Sequence, residues 1–230
     1  EKWWDRGEND PKAENITINI YSQMGEVYNS FKLGNIDFIN TSNTSVEDYI
    51  GTIGYGKNEY KGRELDYISL YCNNNILKYP EVRKAISYLI DKNNIVSSVY
   101  NNKKYISDFP LDYGSFLYTE QESQFAYDIE KAKQVLTDAG WVYKNRRWQK
   151  TENRVTTRIS LNVVVEKDNE NRVKVAENII DKLNEIGLNA KIEKVSQARY
   201  NQYLENKNYD IIITGILNSY TPYLNSFFGN

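Results

Sequence analysis

The sequence has no histidine, a single cysteine and a single methionine among its 230 residues. The lack of histidine removes the commonest general base near neutral pH, which argues against an enzyme without excluding one. The lone cysteine, Cys72, rules out an internal disulfide and an all-cysteine zinc site. Because its neighbours are typical of a strand, we expect Cys72 to be a small buried thiol of the core. We therefore expect no cofactor and no metal site.

An excess of charge of one sign is also missing, since 29 basic and 31 acidic side chains leave a net charge of −2. A nearly neutral chain has no electrostatic reason to bind nucleic acid or an anionic membrane surface. No apolar run approaches the ~20 residues that span a bilayer, and we expect no transmembrane segment. Residues 1–6 do not resemble a signal peptide, so we expect any targeting segment to have been removed or to lie upstream.

What the chain does carry is a succession of strand and helix patterns. Within the first 75 residues, strands are predicted at Ile16–Tyr21, Ile36–Asn40 and Leu65–Asn73. A helix that ends at Gly34 is predicted over residues 27–34, and a short helix over Val46–Ile53. Three asparagines then break the pattern, and we place a lobe boundary near residue 75.

Three capped helices are predicted in the middle of the chain. Apolar residues at helical spacing predict a helix that begins near Pro80 and a second helix that Asp91 caps. After a loop, Asp128 is expected to cap a third helix, which Gly140 ends. Residues 141–149 then predict a small hairpin.

The last third is the most regular part of the sequence. Strand patterns at 159–165, 188–192 and 209–214 alternate with helix patterns at 173–186 and 200–204, which indicates parallel pairing with right-handed crossovers. The run Ile211–Ile213 lacks alternation, so we expect a central strand covered on both faces. Open parallel sheets place their ligands at the carboxyl ends of strands, which here means the loop at 215–222.

This order of motifs resembles one family, the extracytoplasmic solute-binding proteins that serve ATP-driven oligopeptide, dipeptide and nickel importers. The resemblance covers nearly all 230 residues, and no single motif in it is decisive, whereas the ordered set is specific. The matching positions are residues 34–37, then Arg83, Ala85 and Asp91, then Lys131, Ala132, Leu136 and Gly140, and finally residues 208–215. Because these are packing and capping positions, they indicate a fold rather than a ligand.

The resemblance implies an α/β fold like that of type II periplasmic binding proteins. We expect a lobe with a mixed or parallel sheet flanked by helices, together with part of the first lobe. Family members have two lobes and close on their substrate by a hinge. On this basis residues 1–75 would be a portion of the first lobe with the crossover, and residues 76–230 a truncated second, ligand-binding lobe. The chain would then be a fragment that supplies part of the cleft.

The resemblance also implies a function, as the substrate-binding component of an ABC importer. Such a component captures a small solute, with a short peptide as the favoured ligand, and delivers it to a membrane permease. It implies an extracytoplasmic protein, and we expect a lipidated N-terminus, outside this sequence, to anchor it to the membrane.

The loop after the last strand departs from the family pattern. Peptide-binding relatives carry Gly-Trp there, followed by an aspartate that pairs with the amino terminus of the peptide. This chain has Gly215 and Ile216, with Asn218 and Ser219 where the carboxylate would stand. A neutral amide or hydroxyl does not replace a charge beside a buried ammonium, so either the ligand lacks a free amino terminus or the anchor comes from elsewhere. By position alone, Asn218, Ser219 and Tyr220 are the candidate ligand-binding residues, with an ordinary surface loop as the alternative.

Two other functions stay open. Asp112, Glu120 and Glu122 offer carboxylates for a hydrolase, but their spacing in a loop sets no geometry. A peptide-sensing receptor or a chaperone with the same fold and no transport role is the stronger alternative, and the sequence does not separate it from an importer component.

Overall fold

The computed structural model describes residues 13–43, 45–51, 54–111, 115–118, 124–218 and 224. The chain forms two compact units, residues 1–58 and 59–230. In the described part, the helices are α1 Met24–Lys32, α2 Val46–Ile50, α3 Pro80–Tyr88, α4 Lys92–Ser98, α5 Ile129–Asp138, α6 Glu170–Glu185 and α7 Gln197–Asn206. The strands are β1 Glu64–Leu70, β2 Val142–Lys144, β3 Arg147–Glu152, β4 Val155–Arg158, β5 Leu161–Glu166, β6 Ala190–Val195 and β7 Ile211–Leu217.

The first unit contains the two predicted helices but neither predicted strand. Helix α1 buries Tyr28, whose hydroxyl lies 2.9 Å from the Thr41 hydroxyl, and the chain turns after it at Gly34 with φ of 73°. The strand predictions for Ile16–Tyr21 and Ile36–Asn40 are wrong, because both segments lack strand structure and Ile16 is 80% exposed. An alternating segment becomes a strand only beside another strand, and the described residues of this unit contain none.

The second unit is built on a four-stranded mixed sheet in the order β1-β7-β5-β6. Strand β5 pairs in parallel with both β6 and β7, and β1 adds to the outer side of β7 in the antiparallel sense. Helices α6 and α7 contact this sheet. The parallel pairing, the central place of β7 and the α/β class are as the sequence predicts.

Strand β7 lies between β1 and β5, and Ile211, Ile212 and Ile213 are buried on its two faces. The side chains of Ile211 and Ile213 join the larger core, which also contains residues of α3, α5 and α6. Ile212 points to the opposite face and packs in a smaller cluster with Tyr200 and Tyr203 of α7. The absence of polar alternation in this segment is therefore explained by two covered faces.

The helix ends in the second unit follow the predicted signals. Pro80 occupies the first turn of α3. The side chain of Asp91 accepts a hydrogen bond from the Asn94 amide at 3.0 Å and caps α4. The side chain of Asp128 caps α5 by accepting from the Lys131 amide at 2.9 Å, and this bond is the main reason why the pKa of Asp128 lies below its ordinary value. Each of these caps satisfies a backbone donor that the helix itself leaves unpaired.

The predicted hairpin is part of a separate three-stranded sheet in the order β2-β3-β4. Its first turn passes through Asn145 and Arg146, both with φ near 60°, which suits a tight two-residue hairpin. The strand β4 was not predicted, and it follows a similar turn at residues 153–154. Trp148 of β3 is buried and donates from Nε1 to the Ile186 carbonyl at 2.8 Å, which ties this small sheet to the end of α6.

The segment around residue 72 differs from the sequence-based expectations in two respects. The prediction of a buried Cys72 is wrong: β1 ends at Leu70, and Cys72 is exposed in the turn that follows. The division into compact units falls between residues 58 and 59, whereas the sequence placed a lobe boundary near residue 75. Strand β1 lies in the sheet of the second unit because all seven of its residues pair with β7.

Candidate functional site

The carboxyl ends of the three parallel strands define one edge of the main sheet, which we call the carboxyl edge. Strands β5, β6 and β7 end there at Glu166, Val195 and Leu217. Strand β1 runs the other way and begins at this edge, with Glu64 opposite Leu217. The candidate ligand residues from the sequence follow β7 directly, so the polar groups at this edge decide what the site offers.

An ion pair between two remote parts of the chain lies at the carboxyl edge. Arg172 in the first turn of α6 donates from Nε and from Nη2 to Asp66 Oδ1 of β1, at 3.0 and 2.9 Å. The Arg172 amide donates in turn to the Asn169 side chain at 3.1 Å, which caps α6 and fixes its first turn. Both charged side chains are only about a quarter exposed, at 23% and 26%. Partial burial and two charge-assisted hydrogen bonds make this pair a firm link between β1 and α6.

The second oxygen of the Asp66 carboxylate has its own partners. The hydroxyl of the buried Tyr100, just beyond α4, donates to Asp66 Oδ2 at 3.0 Å. Burial, with the adjacent Asp66 charge, raises the pKa of Tyr100 well above its ordinary value, so the phenol stays a donor. Lys104 Nζ lies 3.8 Å from Asp66 Oδ2 and 3.6 Å from Glu64 Oε2. One carboxylate thus connects β1, α6 and the segment after α4.

Gly215 of β7 lies opposite Asp66 in the sheet. An added Cβ at this position would overlap Arg172 Nη2 and would lie 2.7 Å from Asp66 Oδ1 and 3.0 Å from the Leu65 carbonyl oxygen. Real Cβ atoms do not approach other atoms this closely. The guanidinium of Arg172 therefore occupies the space that any larger residue at 215 would fill.

Asn218 is the one predicted ligand residue that lies within the described part of the structure. Strand β7 continues through Gly215 to Leu217, so the expectation of a loop from residue 215 is wrong, and the strand pairing with β1 explains why. Asn218 is buried, its amide donates to the Arg63 carbonyl at 2.9 Å, and Arg63 Nη1 donates to the Asn218 carbonyl at 2.9 Å. Ser219 and Tyr220 lie outside the described residues.

The opposite edge of the sheet carries a different polar cluster. Asp210, directly before β7, accepts from the Asn162 amide and from the Asn74 side chain, both at 2.7 Å. Burial raises the pKa of Asp210, and these two hydrogen bonds oppose the rise. Asn74 also accepts from the Ile76 amide at 2.9 Å and so closes the turn before α3. These contacts give Asp210 of the motif at 208–215 a structural role.

The charged groups of β1 at the carboxyl edge have partners within the protein. In the described residues at this edge, Asp66 is paired with Arg172 and Tyr100, and Glu64 has Lys104 within 3.6 Å. No group of three or more potential metal-ligating side chains was found among the residues that the structure describes. The predicted hydrolase carboxylates Asp112, Glu120 and Glu122 lie outside the described residues.

The sequence did not single out the Asp66–Arg172 pair or Gly215, although two signals for them exist. Asp66 occupies the face of β1 on which Ile68 and Leu70 pack against the larger core, so a charge there needs a buried partner. A glycine within an otherwise apolar strand often marks a close approach of another group, and Gly215 is such a residue.

A family model described as bacterial extracellular solute-binding proteins, family 5 Middle, matches residues 1–229. Among curated proteins, the oligopeptide-binding protein AppA of Bacillus subtilis is 24% identical over 206 residues, which is 87% of this chain and 37% of AppA. Heme-binding protein A of Haemophilus influenzae is 32% identical over 83 residues, which is 36% of this chain and 15% of that protein. The chain therefore spans well under half the length of these relatives.

Solved structures show the same fold. The structure of AppA from Bacillus subtilis in complex with a nonapeptide matches with a TM-score of 0.72 and 23% identity, over 88% of this chain and 41% of AppA. NikZ from Campylobacter jejuni in complex with Ni(L-His) matches with a TM-score of 0.69 and 19% identity, over 86% of this chain and 38% of NikZ. None of the described helices has both the length and the apolar character needed to cross a bilayer. With nearly every residue matched by the family model and the fold shared with such binding proteins, the chain belongs to the bacterial extracellular solute-binding proteins of family 5.

Proposed function

We propose that the protein is the substrate-binding component of an ABC importer. The observation that carries this proposal is the match of residues 1–229 to a family of extracellular solute-binding proteins. In this role the protein binds a small solute between two lobes and delivers it to a membrane permease, and it catalyses no reaction. We place a portion of the first lobe and the crossover in residues 1–75 and the second lobe in residues 76–230, with β1 contributing a strand to the sheet of the second unit.

The solute we propose is a short peptide. AppA, which shares the fold, binds a nonapeptide in its structure, and hydrogen-bonding groups at the carboxyl edge suit a ligand rich in amides. We propose that Asn218, Ser219 and Tyr220 contact the ligand, because they follow the central strand β7. A nickel complex, as bound by NikZ, is the second candidate on the strength of the shared fold. The described residues offer no ready cluster of metal ligands, which favours the peptide.

The location we propose is outside the cytoplasm, with a lipid anchor on the N-terminus of the whole protein. The family is described as extracellular, which agrees with this placement. A peptide receptor or chaperone that uses the fold without transport remains the alternative. Crosslinking in intact membranes separates the two, because an importer component is captured with a permease and a free receptor is not.

Isothermal titration tests the proposed solute. Peptides of graded length, each with a free and with an acetylated amino terminus, are titrated into the full-length protein beside a nickel–histidine complex. We expect saturable binding of at least one peptide series and none of the nickel complex. Because Asn218 and Ser219 stand where relatives carry an aspartate, acetylation should weaken binding only slightly. A lack of heat with every peptide, or a clear signal with nickel–histidine alone, would overturn the assignment.

A further inference from the structure

Asn218 is held in place at the carboxyl edge by contacts with the start of β1, and the importance of its position for ligand binding rests on the proposed function. Asn218 lies beyond the end of β7, and it exchanges two hydrogen bonds with Arg63, the residue before β1. Its position therefore depends on how firmly the first residues of β1 stay against the last residues of β7.

The Asp66–Arg172 pair fixes that end of β1. Asp66 is three residues from Arg63, and its carboxylate binds two nitrogens of Arg172 and the hydroxyl of Tyr100. Arg172 is itself anchored at the capped start of α6, directly after β5. The pair thus ties the edge strand β1 to helix α6, which packs against β5, β6 and β7.

Gly215 provides the space that this link needs. It is opposite Asp66 on the α6 side of β7, in line with Ile211 and Ile213 of the larger core. A Cβ at this position would meet first the end of the Arg172 side chain, then Asp66 Oδ1 at 2.7 Å, and then the fixed carbonyl oxygen of Leu65 at 3.0 Å. An alanine would therefore push the guanidinium off Asp66 before it disturbed the backbone.

We propose that Arg172 and Gly215 are positioning residues for the candidate ligand residue Asn218. Arg172 clamps the start of β1 through Asp66, the clamp holds Arg63 against Asn218, and Gly215 leaves room for the guanidinium. Residue 215 does not have the positive φ that favours glycine. Glycine is therefore needed at this position because a larger side chain would occupy the space of the Arg172 guanidinium.

Hydrogen exchange in the full-length protein tests the proposal without any ligand. We expect Gly215→Ala to reduce the protection of the Asn218 amide about 10- to 100-fold, the range of a lost hydrogen bond to a charged group. The amides of Val163 to Val165 should keep their protection, because the centre of the sheet is untouched. Gly62→Ala is the matched control, since an added Cβ there meets nothing within 4 Å, and it should leave Asn218 unchanged.

A double-mutant cycle separates positioning from general damage to the fold. Arg172→Ala should produce a loss at Asn218 similar to that of Gly215→Ala, and the two changes together should add little, because the alanine at 215 acts by displacing Arg172. Arg172→Lys, which keeps the charge but not the two-pronged geometry, should give an intermediate loss. Additive losses, or a Gly215→Ala protein with normal Asn218 protection, would overturn the proposal.

Peptide affinity gives a second readout. With the peptides used for the proposed function, Gly215→Ala should weaken binding about tenfold or more while Gly62→Ala does not. If the unaltered protein binds no peptide, the proposed function fails, and the exchange experiment still decides whether Arg172 and Gly215 position Asn218.

Discussion

Replacing Trp148 with phenylalanine tests the link between the three-stranded sheet and the rest of the second unit. The Trp148 side chain is 5% exposed, and its Nε1 donates to the Ile186 carbonyl at 2.8 Å. Phenylalanine keeps an aromatic ring beside Tyr143 but removes the donor. An unsatisfied buried carbonyl costs about 1–3 kcal/mol. The smaller ring adds about 1 kcal/mol for the cavity it leaves.

The same substitution at Trp141 is a closely matched control. Trp141 is 1% exposed and packs edge-on against Tyr79. Its Nε1, however, lies at 3.4 Å from Glu81, a carboxylate that also has Lys150 as a partner at 3.4 Å. Loss of the Trp141 donor therefore leaves no orphaned acceptor, and we expect mainly the cavity cost of about 1 kcal/mol.

The free energy of unfolding is measured for both variants by urea denaturation, followed by far-ultraviolet circular dichroism so that the altered fluorescence does not matter. We expect Trp148→Phe to be the more destabilised variant by about 1–3 kcal/mol, with equal slopes against urea. Equal losses within about 0.5 kcal/mol, or a larger loss for Trp141→Phe, would refute the reasoning that the buried carbonyl needs this donor.

Two further predictions concern stability. Asp91→Ala should lower the free energy of unfolding by about 1 kcal/mol, because it removes the cap on the Asn94 amide. The control Asn93→Ala, at an exposed position, should change it little. Both are measured by urea denaturation, and equal effects would count against the cap. Hydrogen bonds from Tyr203 and Asn162 hold the pKa of Glu193 below its ordinary value of 4.5. The stability that Glu193 contributes is therefore present above pH 4.5 and is lost as the pH falls through the lower, folded-state pKa. The free energy of unfolding of Glu193→Gln should therefore fall less steeply at acidic pH than that of the unaltered protein. The control Glu205→Gln, at an exposed position, should follow the unaltered protein. Parallel profiles of unfolding free energy against pH for all three proteins would contradict the assignment.

The parts of the fold that the sequence predicts correctly are those with signals confined to a few residues. The caps at Asp91 and Asp128 precede their helices directly, and the apolar run Ile211–Ile213 identifies a strand covered on both faces. In each case, the chemistry that fixes the element lies within the element, so no knowledge of remote partners is needed.

The errors arise where the outcome depends on something outside the segment. The alternation at Ile16–Tyr21 satisfies the pattern of a strand, but pairing needs a neighbour, and the isoleucines of the segment are exposed. Cys72 lies two residues beyond the end of β1, and a local pattern places strand ends only approximately.

In the candidate site, too, the features with local signals are predicted correctly, and those that depend on remote residues are not. The position of Asn218 after a central strand follows from the topology that the sequence predicts. The clamp at Asp66 joins residues 106 positions apart, and no local pattern pairs them. The space at Gly215 becomes visible only when the register of β1 against β7 is known.

The central claim is that the solute binds at the carboxyl edge of the main sheet. Hydrogen exchange of the full-length protein, with and without a saturating peptide, tests it most directly. We predict added protection at the ends of β5 and β7, in residues 166–169 and 215–218, and little change at Asn162 and Asp210 on the opposite edge. Peptide binding that protects the opposite edge, or leaves the carboxyl edge unchanged, would contradict the account.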